Sequence, residues 1–401
     1  MSSSKKFQRG KGEEDMTTKT AAAKTTPEYS PGLEGVIAGE TTVSYVNPEL
    51  ATLIYRGYDI RDLVEKATFE EVAFLLLYKH LPTQAEYDSF TATLKEERKL
   101  PQGVVDAIKT FPKSKPAAHP MDLLRTATAV MALYDPERDD NSHDANVRKA
   151  VRLVAKMPAL ITYSYRTSRG QEIIEPDMTL GHTSNFLYML LGKKPEKDVV
   201  RLFDASLICY ADHGFNASTF SARVVTSTLS DIYSGVVAAI GALKGPLHGG
   251  ANEEAMHMLQ KIGGPENAEK WMMDALARKD KIMGFGHREY KNGDPRAAIL
   301  SRMAGEYSEK IGDTKWHETA LICEKVMLRE KNIQPNVDFS TSYLYFMMGL
   351  PIEIYTPIFA LSRISGWTTH IIEQLDNNRL IRPKALYEGP THLNYVPRAE
   401  R

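Results

Sequence analysis

Four stretches of the chain carry side chains able to do acid–base chemistry. In residues 241–253, Gly-Ala-Leu-Lys-Gly-Pro-Leu-His-Gly-Gly-Ala-Asn-Glu, His248 lies between Pro246 and a glycine pair. Pro246 fixes its own φ, and the glycines accept angles that other residues avoid. An imidazole is thus mounted on a bent junction at a helix start, where outward-pointing N–H groups attract negative charge. The second stretch, Ala211 to Thr219, sets His213, Asn216 and Ser218 between two apolar runs. Asn216 comes one helical turn after His213, so both can face one cleft or simply cap a helix junction. The third is Gly284-Phe285-Gly286-His287-Arg288-Glu289-Tyr290-Lys291, ending in Asp294-Pro295-Arg296. In the fourth, Asn336-Val337-Asp338-Phe339, a carboxylate stands between two apolar side chains. Burial there would raise its pKa and make it a usable base, although Asp is also a good helix N-cap.

Several chemistries lack their residues. The third glycine position of a dinucleotide fingerprint is occupied by Glu289, and no βαβ pattern surrounds it. The glycines Gly284 and Gly286 can still form a turn whose N–H groups face a phosphate, with Arg288, Lys291 and Arg296 adding positive charge. No His-Glu-x-x-His, metal-spaced acidic cluster, Gly-x-Ser-x-Gly or P-loop is present. The residues that remain suit metal-free acid–base work on a small polyanion. The reaction class is proton abstraction next to a carbonyl, followed by carbon–carbon bond formation.

The elements that must hold these groups read as helices. Thr68 with Glu71 makes a capping box ahead of Phe69, Val72, Ala73, Leu76 and Leu77. Further stripes are Met121/Leu124/Thr128/Met131, Leu153/Met157/Leu160/Ile161 running past Pro158, Val199/Leu202/Phe203/Ser206 and Leu321/Ile322/Val326/Leu328. Proline and glycine breakers separate them. Near the start, residues 41–46 alternate like a strand, 55–59 form a turn, and Asp59 caps the next helix. Strands do not alternate with helices, so the expected class is all-α.

With 401 residues, the chain can form two domains or one large helical one. A net charge of −1 argues against a broad nucleic-acid or anionic-membrane surface. Cys209 and Cys323 form no framework, which fits a reducing cytoplasm and no thiolate metal site. Residues 343–361 are the most apolar run, but Pro351, Glu353 and Pro357 interrupt it, so no membrane span is expected. The first 30 residues are polar, lack a hydrophobic signal core and read as a disordered tail.

Three motifs, Gly-Pro-Leu-His-Gly-Gly-Ala-Asn-Glu, Gly-Phe-Gly-His-Arg-x-Tyr-Lys with Asp-Pro-Arg, and Asn-Val-Asp-Phe, resemble the catalytic segments of citrate synthase. The His213-x-x-Asn-Ala-Ser-Thr segment resembles its substrate-binding segment, and the likeness runs from about Leu33 to Arg398. It is closest to the shorter bacterial and archaeal-type enzymes. The resemblance implies an all-α homodimer with its site in a cleft between a large helical domain, residues 31–247 and 345–401, and a small domain, residues 248–344. It implies condensation of acetyl-CoA with oxaloacetate, without a cofactor or metal. Asp338 matches the base, His248 the enol-stabilising donor, and His287 the residue that polarises the ketone. His213, Arg296 and Arg382 match substrate ligands. The resemblance also implies an arginine from the partner chain, for which Arg398 is the candidate. Gly284, Gly286, Arg288 and Lys291 are assigned to CoA. A 2-methylcitrate synthase using propionyl-CoA is the neighbouring reading. A non-catalytic helical dimer, or a hydrolase acting on a CoA thioester, is the reading from another class.

Overall fold

The computed structural model describes residues 29–113 and 118–401. Most of the polar tail expected at the start lies outside the described residues. The chain divides into two compact units. One, residues 41–382, holds among its described residues a small sheet and sixteen α-helices; the other comprises the described residues 29–40 together with 383–401. This second unit has only short 3-10 turns at Pro31–Leu33 and Arg398–Glu400, and many of its apolar side chains, including Ile37, Leu393 and Tyr395, are exposed.

The larger unit opens with β1 (Ser44–Asn47), β2 (Thr52–Tyr55) and β3 (Tyr58–Asp59), an antiparallel sheet in that order. Arg56 and Gly57 both take positive φ in the β2–β3 turn, so the expected turn is present. Helices α1 (Ile60–Lys66), α2 (Phe69–Tyr78), α3 (Gln84–Glu96) and α4 (Gln102–Lys109) follow. Asp59 caps α1, and Thr68 and Glu71 form the capping box of α2. Next come α5 (Pro120–Ala132) and α6 (His143–Ser168). The latter continues through Pro158 because burial on nearly every face outweighs one lost backbone bond.

Helices α7 (His182–Leu191), α8 (Lys197–Tyr210), α9 (Ala217–Thr226) and α10 (Ile232–Leu243) complete the first half. Helices α11 (Ala251–Ile262), α12 (Pro265–Ala277), α13 (Pro295–Ile311), α14 (Lys315–Lys331) and α15 (Val337–Met347) pack largely on one another. The last helix, α16 (Tyr355–Asp376), runs against α6, α8, α9 and α10 and is buried along almost its whole length.

One stripe is corrected. On α14 the buried residues are Thr319, Ala320, Cys323, Val326 and Met327, whereas Leu321 and Leu328 are exposed. Seven residues apart, those two share the outer face of the helix. The apolar run at 343–361 is split between α15, a 3-10 turn at Ile352–Ile354 and α16. Among the described residues no helix is long and apolar enough to cross a membrane.

Candidate active site

The site is organised by one face of α16. Thr356, Phe359, Arg363, Trp367 and His370 recur at spacings of three and four, so they form one stripe, and all are buried. Each touches a loop that carries a chemical group.

His248 sits in the turn between α10 and α11. Its Nε2 lies 2.8 Å from Ser218 Oγ, and its ring meets Phe359 edge-on at 6.0 Å. Trp367 Nε1 donates to the same Ser218 oxygen at 3.0 Å. Asn216 Oδ1, the N-cap of α9, accepts the amides of Ser218 and Thr219 and also the Ser218 hydroxyl at 2.7 Å. The Ser218 hydroxyl thus links Asn216, Trp367 and His248, and it fixes the imidazole through Nε2. Burial, then the charge of Arg363, lowers the His248 pKa to about 3, so the ring is neutral.

His287 is held by its own loop. The amides of Glu289 and Tyr290 donate to its Nδ1 at 3.0 and 3.2 Å, which leaves the proton on Nε2. Burial, then Arg296, brings its pKa to about 4. Its ring lies 4.9 Å from that of His213. His213 is buried with no partner for Nε2, and burial pushes its pKa well below the ordinary range. The His213 loop is tied to the sheet: Tyr55 Oη donates to the Asp212 carbonyl at 2.8 Å, and Ser44 Oγ donates to the Asp212 carboxylate. On its other side the carboxylate pairs with His370 of α16 at 3.2 Å.

Asp338 is not the N-cap of α15. Asn336 takes that place, accepting from Asp338 N and Phe339 N, and this leaves the Asp338 carboxylate available. Tyr210 Oη donates to Asp338 Oδ1 at 2.8 Å. Burial raises the Asp338 pKa to about 6, opposed by that hydrogen bond and by Arg296. The ring of Tyr210 packs on Phe359 at 4.0 Å. Arg363 donates through Nε to the Tyr210 carbonyl and lies over Phe359 at 4.6 Å. Its charge is felt by His213, His248 and Asp338. Arg296 is fully buried and gripped by Asp294 through Nε and Nη2 at 2.9 and 2.8 Å.

The sequence reading missed Arg363, Tyr210 and Trp367, and assigned Ser218 no role. A signal for the first existed: one arginine inside the apolar run of residues 354–372 demands a buried partner. Of the residues assigned to carboxylates, Arg296 is in the cluster, whereas Arg382 and Arg398 are exposed. The Gly-x-Gly turn differs from expectation. Gly286 donates its amide to the Gln334 carbonyl, and the Gly284 and Gly286 carbonyls accept from Asn336, so the turn ties the His287 loop to the start of α15. Gly284 takes φ +82°, and a Cβ there would meet Phe339 at 2.7 Å, so glycine is required. Arg288 and Lys291 are exposed. Among the described residues no cluster of His, Cys, Asp or Glu is arranged to hold a metal.

The family model "Citrate synthase, C-terminal domain" matches residues 32–384, most of the chain. The chain belongs to the citrate synthase family. It is 48% identical over 370 residues to "Citrate synthase 2" of Bacillus subtilis, covering 92% of this chain and 98% of that one. It is 45% identical over 377 residues to "2-methylcitrate synthase 1" of Corynebacterium glutamicum, with coverage of 92% and 98%. Among solved structures, the citrate synthase of Thermoplasma acidophilum, in a ternary complex with carboxymethyl coenzyme A and oxaloacetate, matches with a TM-score of 0.88 at 36% identity, over 94% of this chain and 100% of that one. The all-α class expected from the stripes and breakers is the fold of this family.

Proposed function

We propose that this protein condenses acetyl-CoA with oxaloacetate and water to give citrate and CoA. The observation that carries the reading is the presence of a buried carboxylate that does not cap its helix, Asp338, with two neutral imidazoles, His248 and His287, each held by hydrogen bonding at one ring nitrogen. Asp338 removes a proton from the acetyl methyl. The His248 Nδ1–H donates to the developing enol oxygen. The enol carbon attacks the oxaloacetate ketone, polarised by the His287 Nε2–H, and the citryl thioester is then hydrolysed. A preorganised donor at such an oxygen is typically worth ~10²–10³ in rate. We assign Arg296 and Arg363, with His213, to the oxaloacetate carboxylates, because planar guanidinium groups match carboxylates bidentately. Arg382 keeps its assignment to an oxaloacetate carboxylate, Arg398 is the proposed arginine for a partner's site, and Arg288 and Lys291, beside the Gly284–Gly286 turn, remain the assignment for CoA. The steps use no resident cofactor.

We further assign residues 248–344 to a small domain that closes on the rest, which would shield the enol from water. The packing of α11 to α15 on one another supports this. A homodimer is the proposed assembly, supported by exposed apolar side chains at Leu133, Tyr134 and Leu229. Two free, buried cysteines suit a cytoplasmic setting.

The test is steady-state release of CoA thiol from acetyl-CoA and from propionyl-CoA at matched oxaloacetate. Faster turnover of acetyl-CoA supports the reading. Preference for propionyl-CoA would favour the 2-methylcitrate alternative, which the Corynebacterium glutamicum relative keeps in view. Thiol release without oxaloacetate would mark a thioester hydrolase, and no release with either donor would remove the assignment.

A further inference from the structure

The site as described does not use the last residue of the His248 motif, Glu253. It lies in the first turn of α11, and its side chain is largely buried. One carboxylate oxygen accepts from the hydroxyl of Thr356 and, at 3.1 Å, from the Thr356 amide, at the first turn of α16. The other lies 3.2 Å from His119 Nε2. His119 is the N-cap of α5 and accepts the Met121 amide on Nδ1 at 3.2 Å, so its proton is on Nε2 and points at Glu253. Three helix N-termini, those of α5, α11 and α16, therefore converge on one carboxylate. N-terminal N–H dipoles favour that charge.

The residue after His248 is clamped by the same elements. Gly249 donates its amide to the Leu243 carbonyl of α10 at 2.9 Å, and its carbonyl faces Thr356 Oγ1 at 3.4 Å. Helix α16 supplies both side chains that locate the imidazole: Phe359 at its edge and Trp367 on Ser218. Loop and helix are separate in sequence, and Thr356 links them through both the Gly249 carbonyl and the Glu253 carboxylate.

We propose that Glu253 is a positioning residue for His248, setting the register of the His248 turn against α16 so that the Nδ1–H meets the enol oxygen. This rests on the citrate-forming reading, and wild-type turnover is the control that separates the two. A displacement of about 1 Å in a reacting group costs ~10²-fold in rate. Glu253→Ala is expected to lower kcat by ~10–100-fold while the oxaloacetate KM stays within about threefold, because none of its contacts is to His213, His287, Arg296 or Arg363. A general loss of structure would instead move both parameters and would multiply with any other defect. The deciding measurement is a double-mutant cycle with His248→Ala. If Glu253 acts through His248, adding Glu253→Ala to His248→Ala costs less than about threefold further. An undiminished further loss, or a single variant with kcat within threefold of wild type, overturns the proposal. Should Glu253→Ala fail to fold, Thr356→Val removes the hydroxyl's bonds to Glu253 and to the Gly249 carbonyl, and leaves the Thr356 amide and His119 contacts of Glu253. It is expected to lower kcat about 10-fold and to show the same non-additivity, and additive behaviour there overturns the proposal equally. A wild-type protein without oxaloacetate-dependent thiol release would instead strike the functional reading itself.

Discussion

Replacing Tyr210 by Phe removes one hydroxyl and little volume. That hydroxyl donates to Asp338 Oδ1 at 2.8 Å and stabilises the charged form of the carboxylate. Its other neighbour, Thr341 Oγ1, keeps a bond to the Val337 carbonyl, so no polar group there is stranded. A hydrogen bond to a charged group contributes about 1.5–3 kcal/mol, so its loss should lift the Asp338 pKa from about 6 to roughly 7–8. The sign follows from the acid form: a weaker bond to the carboxylate favours protonation, and less base is ready at a given pH. At pH 7 the ionised fraction should fall from about nine-tenths to between roughly one-half and one-tenth. The acid limb of kcat/KM for acetyl-CoA, at saturating oxaloacetate, should shift upward by the same interval, with a loss of about two- to tenfold at pH 7 and little loss at pH 9. His248 and His287 do not obscure this limb, because burial holds them to about 3 and about 4. The assay is thiol release from pH 5 to 9. An unmoved midpoint, or a loss equal at every pH, would refute the assignment of Asp338 as the titrating base.

Other substitutions address the remaining roles. Asp338→Ala should lower turnover by at least ~10²-fold in a protein with an unchanged unfolding temperature, since a positioned base supplies ~10²–10⁴; near-normal rates would remove its role. Arg363→Lys keeps a charge but loses the fork, and should raise the oxaloacetate KM by about 10–100-fold, with the acetyl-CoA KM changing less; equal changes in both would count against carboxylate binding. Arg382→Leu should likewise weaken oxaloacetate capture if this exposed arginine serves a site, and an unchanged KM would exclude it. Glu324 has a buried carboxylate oxygen with no partner, and burial raises its pKa to about 7. With the folded value above the unfolded one, the charged form opposes folding as pH rises through that interval. Glu324→Gln should therefore raise the unfolding temperature more at pH 8 than at pH 5, and equal shifts at both would contradict the burial argument.

What could be read without coordinates was local. The Thr68–Glu71 capping box, the Asp59 cap and the tight turn at Arg56–Gly57 depend on residues within four positions of one another, and each formed as expected. The chemistry-bearing types were legible too, because His248, His287 and Asp338 stand in contexts that ordinary helices do not need. Tertiary structure decided which of them are buried and so neutral. The seat of the His248 ring depends on Ser218 and, through it, on Trp367, and the carboxylate of Asp338 is held by Tyr210 from α8. It also selected Arg363, which one-dimensional reading passed over as part of an apolar helix, and it turned Leu321 and Leu328 outward. Desolvation and hydrogen-bond partnership are set by whatever packs around a group, and some of those neighbours, such as Tyr210 beside Asp338 and Phe359 beside His248, come from elements more than a hundred residues away.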